Sequence, residues 1–203
     1  MSVVDNYLSG LNRALTEGNL EELKLAQGAT IDALEKLTKN YPLCPPSLLQ
    51  LLGQIDGTHF REYPGGTVNV LILGSDVYEY PYYLSSVEQI IEVAREDSYS
   101  IAQVYGNYLK DEPETVCSGV DIALSMGKRL CFSNCMNNGG TSKLYIDFNP
   151  TAGGLVGQVV RYLHDPDSYK VIAENFDHYL QQLIDDDYSF LYCLEDECVD
   201  SNI

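Results

Sequence analysis

Positive charge is what this chain has least of. Twelve lysines and arginines stand against thirty aspartates and glutamates, a formal net charge of −18 over 203 residues. Nucleic acid and anionic lipid both require a positive face, so direct binding to either is excluded as the expected role. A basic protein partner is favoured, because opposite fields raise encounter rates by about 10- to 1000-fold at low salt. An acidic surface also keeps a protein soluble, and composition alone does not separate the two uses.

Long apolar runs are missing too. No stretch approaches the roughly 20 apolar residues that cross a bilayer. The opening residues, Met1 to Asp5, carry neither the basic region nor the apolar run of a secretory leader. A cytoplasmic protein is therefore expected. Histidine occurs only three times, which leaves little to complete a metal site. Six cysteines occur, Cys44, Cys117, Cys131, Cys135, Cys193 and Cys198, and without an export signal reduced thiols are the default. The spacings of Cys131 to Cys135 and of Cys193 to Cys198 are not those of a zinc knuckle. In a strand, Cys131 and Cys135 would share one face. No metal and no cofactor is expected.

Catalytic signatures are also lacking. No nucleophile elbow, phosphate loop or zinc-protease helix is present. Asp56, Asp147, His59 and His164 could in principle do acid–base work, but they fall at turns, strand ends and loop edges where such residues are ordinary. The chain is expected not to be an enzyme. Low-complexity segments and fixed-period repeats are absent. A hydrophobic fraction of 45% is instead that of one folded domain with a sizeable core.

What is present reads as helices followed by strands. Residues 2–16 place Val3, Val4, Tyr7, Leu8, Leu11 and Leu15 at helical spacing. Thr30 is positioned to cap a helix carrying Ile31, Leu34 and Leu37. A deeply packed helix should begin near Pro45 or Pro46, where a missing N–H costs nothing, and stop at Asp56 and Gly57. Residues 68–73 have strand length and β-branched content. Ser85 with Glu88 suggests a capping box for a helix burying Val87, Ile90, Ile91 and Ala94. Residues 96–119 give a weak signal. Residues 129–134 then place Leu130 and Phe132 on one strand face, and the Asn137 to Gly140 run is a hairpin turn. Leu144, Ile146 and Phe148 alternate with Tyr145 and Asp147, and another strand follows at 158–164. Short connections imply a β-meander. Asn175 should cap a last helix that buries Phe176, Leu180, Leu183 and Ile184.

Sixteen tyrosines and no tryptophan make tyrosine the dominant aromatic. The densest cluster is Tyr78, Tyr80, Tyr82 and Tyr83, interleaved with Glu79 and close to Asp76. Tyrosine offers rigid contact area with a polar tip, which suits an interface as well as a core. Strand alternation would bury or expose Tyr78, Tyr80 and Tyr82 together. A second acidic cluster, Asp185, Asp186 and Asp187, falls where the last helix ends, a place whose partial negative charge disfavours carboxylates. These nine residues are the candidate partner-binding set. The stretch 185–203 also holds Glu195, Asp196, Glu197 and Asp200 and no lysine or arginine.

Three segments resemble the SUKH superfamily of toxin-immunity and cell-wall-synthesis-regulator domains. PLCPPSLLQLLGQIDGTHF at 42–60 is similar to its proline-started helix and following turn, with Asp56 and Gly57 in place of the usual Asn-Gly. LYIDFNPTAGGLVGQVV at 144–160 resembles its strand–turn–strand, and IAENFDHYLQQL at 172–183 its closing helix. The resemblance implies an α+β fold with a central, mainly antiparallel sheet of about five to six strands, N-terminal helices and a C-terminal helix against it. It implies a helical extension at 1–27, the domain at 28–187 and an acidic tail at 188–203. It also implies no catalytic residues, no cofactor and a protein partner. Bacterial members commonly neutralise a toxin, often a nuclease, and a fungal branch includes a regulator of cell-wall synthesis. The missing tryptophan is a departure, since relatives often carry one in the core strands. Two uses follow from the resemblance: an immunity protein binding a basic toxin or effector domain, or a regulatory or scaffolding adaptor. An uncharacterised enzyme is the third reading and needs a pocket that gathers Asp56, Asp147 and a histidine.

Overall fold

The computed structural model describes residues 1–137 and 139–192. Asn138 and residues 193–203, with Cys193 and Cys198, lie outside the described residues.

Helix α1 (Val3–Ala14) opens with a capping box, in which the Ser2 hydroxyl and the Asp5 carboxylate each accept from the other's backbone amide at 3.1 Å. Its Val4, Tyr7 and Leu11 stripe is buried. Helix α2 (Glu17–Leu23) follows, and α3 (Ile31–Asn40) starts at Thr30, whose side chain accepts from the Ala33 amide. On α3 Leu37 is fully buried and Leu34 packs half-buried against the same core, while Ile31 is 76% exposed and drops out of the expected stripe. Helix α4 (Pro46–Leu52) begins with the two prolines as expected and buries Leu48, Leu51 and Leu52.

A small hairpin, β1 (Arg61–Tyr63) and β2 (Gly66–Val68), forms its own two-stranded sheet. The expected strand at 68–73 is corrected here. The ladder ends at Val68, and the chain runs on extended with single contacts: Val70 donates to the Thr58 carbonyl, and Leu73 pairs with Tyr82. The Asn69 amide is taken by the Glu22 carboxylate, which removes the donor a strand would need there. The apolar residues Val68, Val70, Ile72 and Leu73 are buried all the same.

The main sheet has five strands in the order β3 (Tyr83–Leu84), β4 (Leu130–Asn137), β5 (Gly140–Asp147), β6 (Gln158–Leu163) and β7 (Ser168–Ala173), every neighbour antiparallel. From β4 to β6 it is the expected meander, and β7 adds a strand that the sequence reading did not place, taking up Ile172 and Ala173 ahead of the last helix. Helix α5 (Val87–Glu96) precedes it, and its capping box is Ser86 with Gln89, one residue later than expected. The reason is that Ser85 is held by the sheet: its amide donates to the Phe132 carbonyl at 2.9 Å.

Both faces of the sheet are covered. One carries Leu130, Phe132, Leu144, Ile146 and Val159 against α1, α4, α5 and helix α8 (Phe176–Asp185). Phe132 meets Phe176 and Tyr179 edge-on at 5.3 and 5.7 Å, contacts of about 0.5–1.5 kcal/mol beyond area burial. The other face carries Cys131, Tyr145, Val160 and Tyr169 under Ile101, Val120 and Met126. Its cover is the weakly patterned stretch, which forms α6 (Ile101–Tyr105), α7 (Tyr108–Asp111) and connecting turns. A β-bulge between Cys131 and Ser133 corrects the shared-face expectation. The extra residue shifts the alternation, so Cys131 faces one core and Cys135 the other.

Helix α1 and the residues just after α8 clasp each other. Asp187 and Tyr188 adopt φ of 50° and 56°, which turns the chain back after α8. The Tyr188 hydroxyl then donates to the Tyr7 carbonyl at 2.8 Å, and the Tyr7 hydroxyl donates to the Ile72 carbonyl. A Cβ at Gly10 would lie 2.0 Å from the Tyr188 hydroxyl, so α1 needs its glycine there. Tyr188, Phe190 and Leu191 are all buried.

Candidate functional site

The candidate residues divide between two elements, the turn after Leu73 and the end of α8. The turn is shaped by Ser75, whose hydroxyl accepts from the Val77 amide at 3.1 Å. This geometry swings Asp76 toward the sheet. Arg161 on β6 and Lys170 on β7 are direct cross-strand partners, and one carboxylate reaches both. Arg161 donates to Asp76 through Nε at 2.6 Å and Nη2 at 3.2 Å, and Lys170 donates at 2.8 Å. Burial alone would raise the Asp76 carboxyl, but the two cations outweigh it and hold its pKa below the ordinary 3.8.

The α8 end is brought to the same place by Tyr179. Its hydroxyl donates to the Gly74 carbonyl at 2.7 Å and fixes the helix against the turn. The result is a pocket of about 300 Å³ whose wall includes Asp76, Tyr78, Tyr179, Gln182, Asp185 and Asp186. Asp185 accepts a hydrogen bond from Gln181 at 2.7 Å. Asp185 and Asp186 make no ion pair among the described residues, and both are exposed. The pocket therefore is lined by one ion-paired carboxylate and two that have no ion pair, together with the apolar Ile172 and Leu183.

The remaining candidates lie elsewhere. Glu79 and Asp187 are exposed but do not line the pocket. Tyr80 is half-buried and packs against the main core. Tyr83 is half-buried with its ring stacked on His59 at 4.7 Å. Tyr82 is 0% exposed, out of reach of any partner of the folded chain. The expected common fate of Tyr78, Tyr80 and Tyr82 fails because residues 78–80 form a turn, where alternation has no force. Tyr78 is 46% exposed while Tyr82 is sealed. Sequence reasoning missed Tyr179 and Gln182, although both fall at helical spacing from Asp186 and so had a signal.

The two aspartates tested for catalysis hold backbone. Asp56 accepts from the Val87 amide and from Arg61, each at 2.9 Å, and so caps α5. Gly57 beside it has φ of 92°, and a Cβ there would lie 2.6 Å from the Ser86 nitrogen. Asp147 accepts from the Asn149 amide at 3.0 Å and faces the Arg129 Nε at 3.2 Å. That N–H is too oblique for a hydrogen bond, so the pair is a charge contact. Arg129 spends its other nitrogens on the Asp121 carbonyl at 2.7 Å and the Leu124 carbonyl at 3.5 Å. Gln158 pins the loop before β6 by accepting from the Leu155 amide at 3.0 Å, and ties it to the distant Gly119 by donating to that carbonyl. The cavity that contains Asp56 has neither Asp147 nor a histidine in its wall. His59 is pushed toward the neutral form by burial. Among the described residues no cluster of three or more His, Cys, Asp or Glu could hold a metal, and no helix is long and apolar enough to cross a membrane.

Two helical layers around an antiparallel meander, with the Asp-Gly turn and the strand–turn–strand both spent on scaffold, define a class of small α+β domain. The SMI1 / KNR4 family (SUKH-1) matches residues 27–182, and the chain belongs to that family. No curated protein matches it. The match begins after α1 and α2 and ends before Asp185 and Asp186. The pocket thus joins a family-borne half, Asp76 and Tyr78, to residues beyond the matched segment.

Proposed function

We propose that this chain is a non-catalytic, cytoplasmic protein-binding domain that docks a basic partner on its acidic pocket. The observation that carries the reading is that Asp76, Tyr78, Asp185 and Asp186, far apart in sequence, line one cavity. Carboxylates at the end of α8 oppose the helix dipole, a local cost that a cationic partner would remove. Within the family, the reading that fits is an immunity protein that neutralises a cognate toxin. A nuclease presents a basic, phosphate-binding surface, and carboxylates flanked by tyrosine can occupy it in place of substrate. The regulatory adaptor of the same fold is the second reading, favoured by the match to the SMI1 / KNR4 family.

The test is titration of the effector domain encoded beside this gene. Affinity should fall at least about tenfold between roughly 0.05 M and 1 M salt, because the free carboxylates are exposed and screened. Affinity that does not change with salt contradicts the electrostatic basis of the proposal. A neighbouring gene without any effector domain favours the adaptor.

A further inference from the structure

A second cleft has the opposite chemistry. It lies where α3 and α5 end and has a volume of about 550 Å³, against about 300 Å³ for the acidic pocket. Thirty of the 203 residues are acidic, yet none of the residues lining this cleft is aspartate or glutamate. Two cations line it, Arg95 and Lys128, both exposed. Neither makes an ion pair among the described residues, whereas Arg61, Arg129 and Arg161 are each held by a carboxylate. Arg95 sits in the last turn of α5, where a cation offsets the helix dipole. That accounts for one charge, but not for Lys128 or for the acid-free wall.

The wall is aromatic and rigid. Tyr41 and Phe148 meet with ring centroids 6.0 Å apart. The Tyr41 hydroxyl donates to the carbonyls of Gly127 and Arg129 at 2.9 and 3.1 Å, which ties the wall to the backbone of the buried ion pair. Leu43, 59% exposed, also lines the cleft.

We propose that this cleft takes an acidic peptide segment of a partner protein. Its carboxylates would sit between Arg95 and Lys128, and an aromatic or branched aliphatic side chain would lie against Tyr41, Phe148 and Leu43. A free small molecule fits less well, because such sites enclose roughly 70–90% of their ligand. Here Leu43, Arg95 and Lys128 all stand exposed. A nearby carboxylate, Asp97 behind the Tyr41 wall, is held by Lys143 at 2.9 Å. At physiological salt the Debye length is about 8 Å, so carboxylates farther off are screened while the two cations act at contact. This surface is independent of the acidic pocket, and either can fail without the other.

The experiment is amide NMR on the full chain with synthetic hexapeptides. One has two aspartates flanking a phenylalanine, one replaces that phenylalanine with glycine, and one replaces the aspartates with lysines. The first should shift the amides of Leu43, Lys128 and Asn149; the other two should not shift them. Arg95→Glu with Lys128→Glu should weaken binding about tenfold. Lys36→Glu with Lys110→Glu changes net charge equally outside the cleft and should leave binding nearly unchanged. The proposal is overturned if the acidic peptide shifts none of these amides, if both double variants weaken it alike, or if the glycine peptide binds equally. Toluenesulfonate giving the same shifts at equal or tighter affinity would replace the peptide with a small anion and overturn it too.

Discussion

Asp147 and Asp76 are both aspartates set against an arginine of the main sheet region, and they do different work. Asp147 and Arg129 are at 0% side-chain exposure, sealed between the sheet and the turn before β4. Asp76 and Arg161 meet at the lip of a pocket, where the Asp76 side chain is 27% exposed and Lys170 shares it. A sealed pair is a scaffold element: breaking it strands a charge in a low-dielectric interior. A pair at the lip, with its aspartate partly solvated although Arg161 is only 5% exposed, costs less to lose, and it positions a turn beside two carboxylates that have no ion pair. Sequence places both aspartates near turns, and only burial separates their roles.

The largest effect is therefore expected at the sealed pair. Asp147→Ala should cost about 3–5 kcal/mol, since Arg129 keeps its charge without its partner. Urea unfolding measures this, and a loss under about 1 kcal/mol would erase the distinction between the two pairs. Replacing both partners with apolar residues, Arg129→Met with Asp147→Leu, should recover only part of the loss, because the Asp121 carbonyl and the Asn149 amide then lose their partners. Next is the clasp between α1 and Tyr188. Gly10→Ala drives a methyl into the Tyr188 ring and should cost about 1–3 kcal/mol, read as a drop in Tm. Tyr188→Phe, which loses one hydrogen bond to the Tyr7 carbonyl, should cost about 1 kcal/mol.

Asp76→Asn sharpens the comparison from the other side. Its cost should be about 1–2 kcal/mol, below that of the sealed pair: the Arg161 side chain is only 5% exposed, but Asn keeps an acceptor for it and Ser168 still accepts from its Nη1. The carboxyl is depressed in the folded state, so its contribution is fully present above the unfolded value near 4 and is lost as pH falls through the folded value. Wild type and Asp76→Asn should thus differ at neutral pH and converge as pH falls through and below the depressed folded value. Curves that stay parallel throughout would show that Arg161 and Lys170 do not stabilise the ionised form.

Much of this architecture was legible in the chain. Alternation from Leu144 to Phe148, the Asn175 cap and the paired prolines before α4 each pointed to the element that forms there. In those places local preference and tertiary burial agree. The covering layer of the second sheet face was not legible, because α6 and α7 have only five and four residues and are held by contacts distant in sequence. The bulge at Cys131 is a register choice, invisible to a period-two reading. For the site, the acidic clusters were legible as clusters, but their meeting was not. That meeting depends on the Tyr179 hydroxyl reaching the Gly74 carbonyl, 105 residues away. The fates of Tyr78 and Tyr82 were equally hidden, since a turn carries no alternation to sort them.

The smallest stability effect bears most on function. Asp185→Asn with Asp186→Asn removes two carboxylates from the negative end of α8, so stability should hold or rise by a few tenths to about 1 kcal/mol. Affinity for the basic effector, measured by calorimetry at about 0.15 M salt, should nevertheless fall at least tenfold. A double variant that is as stable as wild type and binds the effector just as tightly would contradict the claim that this pocket is the docking surface.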